Sequence, residues 1–141
     1  MREILFKAKR LDNGEWIEGG LVHQTDYYGI KVDHYFIIDG TGTHDYDIGH
    51  EYRVDPDTIC QYTGFTDKNG NKIWENDIIK HYNYWSMPEM YSLGKIFFDR
   101  RLCRFRRTSN TSNDDVNIGI NCIYEVIGNI FDNPEMMEVQ E

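Results

Sequence analysis

Two Asn-Gly pairs, Asn13-Gly14 and Asn69-Gly70, sit between short runs in which apolar and polar residues alternate. Asn and Gly both accept positive φ at little cost, which is what a tight turn between antiparallel strands demands. The longest purely apolar runs are a few residues, such as Phe36-Ile37-Ile38. A chain punctuated in this way folds as β-hairpins. It has neither a sustained helical period nor the roughly 20 apolar residues of a membrane-spanning helix.

The opening hairpin is expected over residues 2–10 and 16–24. Ile4, Phe6 and Ala8 alternate with Glu3, Lys7 and Lys9, and Gly19-Gly20 marks a bulge or a close backbone approach in the second strand. Residues 30–38 read as a further strand, and the Gly-rich stretch 39–47 as a polar loop. In Arg53–Thr58, Pro56 fixes φ and Asp55 is placed to cap a single helical turn. The later half reads as strands at 58–65, 72–74, 78–82, 94–99, 102–107 and 122–127. Polar loops are expected at 83–92 and, as a mobile segment, at 108–117. Short strands at this spacing suit a small half-open barrel. Asn133 and Pro134 alone invite a short helix, as cap and first residue. The expectation is an all-β, hairpin-rich fold with little helix. An N-terminal β lobe, residues 1–55, and a small barrel, residues 56–141, would share one core.

The 141 residues carry a formal charge of −9, unevenly spread. Residues 1–94 have nine basic against sixteen acidic side chains, residues 95–107 six against one, and residues 108–141 none against seven. The sign therefore runs negative, positive, negative. Cys60, Cys103 and Cys122 are odd in number and form no Cys-x-x-Cys pair. They are expected as small buried thiols in a reducing compartment, not as a disulfide framework or zinc site. Arg2, Glu3 and Lys7 put charge where an export leader would be apolar. A cytoplasmic protein, outside the membrane, is expected.

The segment Val54–Ile79, with Thr63-Gly64-Phe65-Thr66-Asp67-Lys68-Asn69-Gly70 and Ile73-Trp74-Glu75-Asn76-Asp77-Ile78 at its centre, resembles the core signature of YopX-like phage and prophage proteins. Arg2–Lys9 and Tyr124–Glu135 agree with it, so the likeness spans nearly the whole chain. The signature commonly has Gly at the position of Asn76 and Tyr or Phe at that of Trp74. The resemblance implies an all-β protein whose later half is like a small SH3-type barrel, assembled as a homo-oligomer. It implies no activity and no site residues. The signature residues themselves suit folding: Gly64, Asn69, Gly70 and Asn76 for turns, and Tyr62, Phe65, Ile73, Trp74, Ile78 and Ile79 for apolar faces.

Three chemistries can be weighed on the residues. His34, His44 and His50, with Asp45, Asp47 and Glu51, mix imidazole and carboxylate but lack any metal-motif spacing. A solvated polar loop accounts for them better, and no cofactor is expected. No nucleophile elbow, P-loop or dinucleotide fingerprint occurs, and no enzyme activity is expected. Arg100, Arg101, Arg104, Arg106 and Arg107 surround Phe97, Phe98 and Phe105, with Tyr84 and Trp85 nearby as stacking platforms. On a strand, Arg104 and Arg106 share one face and Phe105 takes the other. These arginines suit pairing with acidic segments of this chain, a second subunit, or a host or phage protein. Binding to single-stranded nucleic acid is the second reading, because the acidic remainder would repel a polyanion.

Overall fold

The computed structural model describes residues 2–40, 49–82, 87–111, 115–119 and 123–137. The chain divides into two compact units, Met1–Tyr62 and Thr63–Glu141. It is all-β, and every strand pairing between described residues is antiparallel. Only two 3-10 turns, Pro56–Thr58 and Pro134–Met137, interrupt the strands among the described residues. No helix there is long and apolar enough to cross a membrane.

The first unit contains β1 (Phe6–Lys9), β2 (Trp16–Tyr27), β3 (Ile30–Ile38), β4 (Glu51–Arg53) and the start of β5 (Cys60–Thr66), in the order β4-β3-β2-β1-β5. The Asn13-Gly14 turn closes the first hairpin with Gly14 at φ 73°. Strand β1 is shorter than its alternation suggests. Strand β2 continues past Gln24 to Tyr27, where Tyr28 and Gly29 turn the chain with φ 50° and 81°. Of the two outcomes expected at Gly19-Gly20, close approach is the one realised. A Cβ on Gly19 would fall on the Ile38 carbonyl oxygen, and the ladder irregularity lies elsewhere, between Gln24 and Asp26. Asp55 caps the 3-10 turn as expected, its carboxylate accepting from Asp57 N at 3.0 Å. The core is Ala8, Ile37 and Val54, with Phe6, Ile17, Leu21, Tyr35 and Ile59 packed on it.

The second unit takes in the end of β5, then β6 (Lys72–Trp74), β7 (Asp77–Tyr82), β8 (Tyr91–Asp99), β9 (Arg104–Arg107), β10 (Val116–Asn117) and β11 (Ile123–Asn129). The last five form a sheet in the order β10-β9-β8-β7-β11. Strand β6 pairs instead with β5, outside this five-stranded sheet. Ile73, Ile79, Ile96 and Tyr124 are the buried centre of the unit, with Phe65, Phe105, Ile118 and Val126 packed around them.

Three expectations are corrected here. Part of the 108–117 loop is structured: Thr108 N and Asn110 N donate to Lys95 O and Leu93 O, and Val116–Asn117 pairs with β9. Cys103 is exposed, in a turn with φ 51°, whereas Cys60 is buried; Cys122 lies outside the described residues. The turn after Asn133 begins with Pro134 but is 3-10, and the Asn133 side chain folds back to accept from Asn129 N at 3.3 Å.

Candidate interaction site on the arginine-bearing strands

The site lies in the second unit, on β8, β9 and the turn between them. Asp99, the last residue of β8, organises it. Its Oδ1 accepts the backbone N–H groups of Arg101 at 2.9 Å and Leu102 at 3.2 Å, which shapes the turn. Its Oδ2 accepts from Arg106 Nη1 at 2.9 Å. The Arg106 bond is the main reason that the Asp99 pKa falls below the ordinary carboxylate value; the two backbone donors add to it, and desolvation opposes it.

Arg106 is held on every side. Besides Asp99 it donates from Nε to Asn117 Oδ1 at 3.1 Å and from Nη2 to Asp115 O at 2.6 Å. The two-residue strand β10 is thus pinned to β9 by a side chain as well as by the ladder. A guanidinium so engaged is fixed structure, with little left to offer a ligand.

Arg100, Arg101 and Arg104 are exposed on the turn and the start of β9. Leu102, 43% exposed, shares the turn with Arg100 and Arg101, and Phe98, 40% exposed, lies at the end of β8 on Phe105's face, opposite to that of Arg104. Phe98 makes an edge-to-face contact with Phe105 at 5.2 Å between ring centres. Phe105 packs on the core, as strand alternation predicts. The same alternation puts Arg107 on Phe105's face, and Arg107 is only 5% exposed. Its Nη2 lies 3.0 Å from His81 Nδ1. Arg cannot accept, so His81 is the acceptor and its imidazole is neutral. Burial chiefly, and the Arg107 charge after it, push the His81 pKa down.

Of the seven candidates for a nucleic-acid or protein interface, then, the structure brings Arg100, Arg101 and Arg104 together at the surface. It ties Arg106 to Asp99 and buries Arg107. Tyr84 and Trp85 lie outside the described residues. So does His44 among the metal candidates. His34 sits on β3 in edge contact with Phe36, and the backbone N–H of His50 donates to Asp39 at 3.1 Å. No group of three or more metal-ligating side chains gathers among the described residues. Sequence reasoning overlooked Asp99 and His81. Asp99 was legible, as the one acid in the basic segment, next to a turn. Nothing local marks His81, which acquires its role from a residue 26 positions away.

The family model described as YopX protein matches residues 5–138. The chain belongs to the YopX family. The crystal structure of protein EF1440 from Enterococcus faecalis is similar to this YopX-family chain, with a TM-score of 0.56 and 24% identity. The match covers 98% of this chain and 100% of that one. At that identity the likeness concerns the fold. No curated protein matches the chain in sequence.

Proposed function

We propose that this YopX-family chain is a non-enzymatic, phage- or prophage-encoded accessory protein of the cytoplasm that works through self-assembly and protein contacts. The turn between β8 and β9 is the contact surface. One observation carries the reading: Arg100, Arg101 and Arg104 are exposed at the β8–β9 turn, with the exposed Leu102 in the same turn, on a chain whose net charge is −9. Arginine beside exposed apolar side chains is the composition of an interface centre. The acidic remainder of the same chain supplies a complementary surface for a second copy. Arg106 and Arg107 are engaged inside the unit, so on these strands a polynucleotide would find Arg100, Arg101 and Arg104 as the exposed arginines, which weakens the single-strand-binding reading.

The test is light-scattering mass after size exclusion, at low and high salt, with and without a mixed-sequence oligonucleotide. A discrete low-salt multimer is expected, indifferent to oligonucleotide and dissociated by the triple substitution Arg100→Glu, Arg101→Glu, Arg104→Glu. A chain that stays monomeric at high concentration in low salt sinks self-assembly. A mass gain with oligonucleotide that disappears as salt rises and in the triple variant establishes the nucleic-acid reading instead.

A further inference from the structure

Arg107 is buried, at 5% exposure, and has no carboxylate partner among the described residues. It faces the core side of β9, paired in register with Ile96 of β8. Its guanidinium reaches His81 on β7, so the side chain crosses β8, which lies between those strands. Gly94 makes that crossing feasible. A Cβ there would fall on the Thr108 carbonyl oxygen and stand 3.7 Å from Arg107 Cβ. The sole hydrogen bond of the guanidinium among the described residues goes to a neutral imidazole. Nε and Nη1 are sealed from solvent and have no acceptor among the described residues. None of the described carboxylates forms an ion pair with it. A buried cation without a counter-anion carries a heavy desolvation penalty, and Arg cannot escape it by losing its proton.

We propose that Arg107 and His81 form a binding site for a carboxylate or phosphate oxyanion, with Arg107 Nε and Nη1 as the donors that hold it. The site lies where the apolar face of the sheet gives way to polar groups, beyond Ile79 and Ile96. His81 is only partly buried at the end of β7, which makes that end the way in for a small anion. Arg107 is too deep for a broad polyanion to reach, so the ligand is a single oxyanion group. It is either a free ion or one acidic side chain of a bound peptide. The site stands independently of the β8–β9 turn and of the assembly reading.

Thermal unfolding of the full chain decides it, titrated with inorganic phosphate or with a hexaglutamate peptide, against sodium chloride at matched ionic strength. Binding to the native state alone raises Tm in a saturable, concentration-dependent way. A rise with phosphate that chloride does not reproduce and that Arg107→Met abolishes supports the site, with a free ion as ligand. A rise with the peptide alone, equally lost in Arg107→Met, supports it with an acidic side chain as ligand. Equal rises in the wild type and the variant, or none in either titration, overturn it. Should Arg107→Met fail to fold, the imidazole resonances of wild-type His81 read the same titration. Saturable movement there supports the site and stillness overturns it.

Discussion

Asp67 accepts the backbone N–H of Val126, 59 residues further along the chain, through Oδ2 at 3.0 Å. Its Oδ1 accepts from Asn69 N and Asn71 N, both at 2.9 Å. One buried carboxylate therefore shapes the Asn69-Gly70 turn and anchors β11 to it. Burial by itself would raise the pKa of Asp67, but the backbone donors of Val126, Asn71 and Asn69 outweigh burial and hold it below the ordinary value. Asp67→Ala leaves those donors without their acceptor. Hydrogen bonds to a charged group contribute about 1.5–3 kcal/mol each, and water can take over part of them in the variant, so a loss of at least about 3 kcal/mol is expected by urea unfolding. Within-error stability of the variant would remove Asp67 from its structural role.

Asn76 stands at φ 71°, in the turn where the family signature commonly has Gly. Its backbone is held on both sides, N–H to Ile96 O at 2.8 Å and C=O from Ile130 N at 3.1 Å, so the conformation is dictated by tertiary contacts. A residue with an ordinary Cβ is strained there, by about 1–2 kcal/mol. Asn76→Ala should therefore unfold at lower urea than Asn76→Gly, by about 1 kcal/mol. The reverse order would show that the turn relaxes out of the left-handed region.

The features legible in the sequence are those whose cause is local. Asn13-Gly14, Asp55-Pro56 and the strand at Ile30–Ile38 each carry their conformation in neighbouring residues, and each forms as read. Strand β10 was not legible, because Val116–Asn117 owes its order to Arg106 and Arg107 across the ladder and to the Arg106 side chain. The arginine cluster was legible as composition but not as geometry. Alternation separates Arg104 and Arg106 from Phe105, and the same parity buries Arg107. What parity cannot supply is the partner: Asp99 for Arg106, His81 for Arg107. Cys103 misled for a related reason, since it belongs to the turn and not to the strand that follows.

Gly19 and Gly20 are neighbours with opposite expectations. A Cβ on Gly19 meets the Ile38 carbonyl oxygen, whereas one on Gly20 meets nothing within 4 Å. Gly19→Ala forces β2 and β3 apart and should cost about 1–3 kcal/mol or more, as overpacking does. Gly20→Ala should be neutral or gain up to about 1 kcal/mol from a less free unfolded chain. Parallel thermal melts of the two variants test this, and equal Tm values would refute it.

Acid should unfold the second unit through a small set of carboxylates. The Tyr82 hydroxyl, 2.5 Å from Glu125 Oε2, is the main cause lowering the Glu125 pKa, with Lys68 at 3.3 Å adding to it. Asp99 is lowered chiefly by Arg106, and Asp67 by its backbone donors against the opposing effect of burial. Each group has a folded-state pKa below its unfolded value, so the unfolded chain binds protons first as pH falls. Their contribution is complete above the unfolded carboxylate range, at about pH 5 and higher, and drains away as pH drops through the depressed folded values. His81 works in the same direction. Its folded pKa lies below that of a free imidazole, so the unfolded chain gains a proton between the two values. The denaturant midpoint should hold steady at neutral pH, start to decline where free histidine titrates, and fall steeply below about pH 4. Asp67→Asn should flatten the steep part of that decline, and His81→Gln the shallow part. A wild-type slope shared unchanged by both variants would assign the acid sensitivity to other groups.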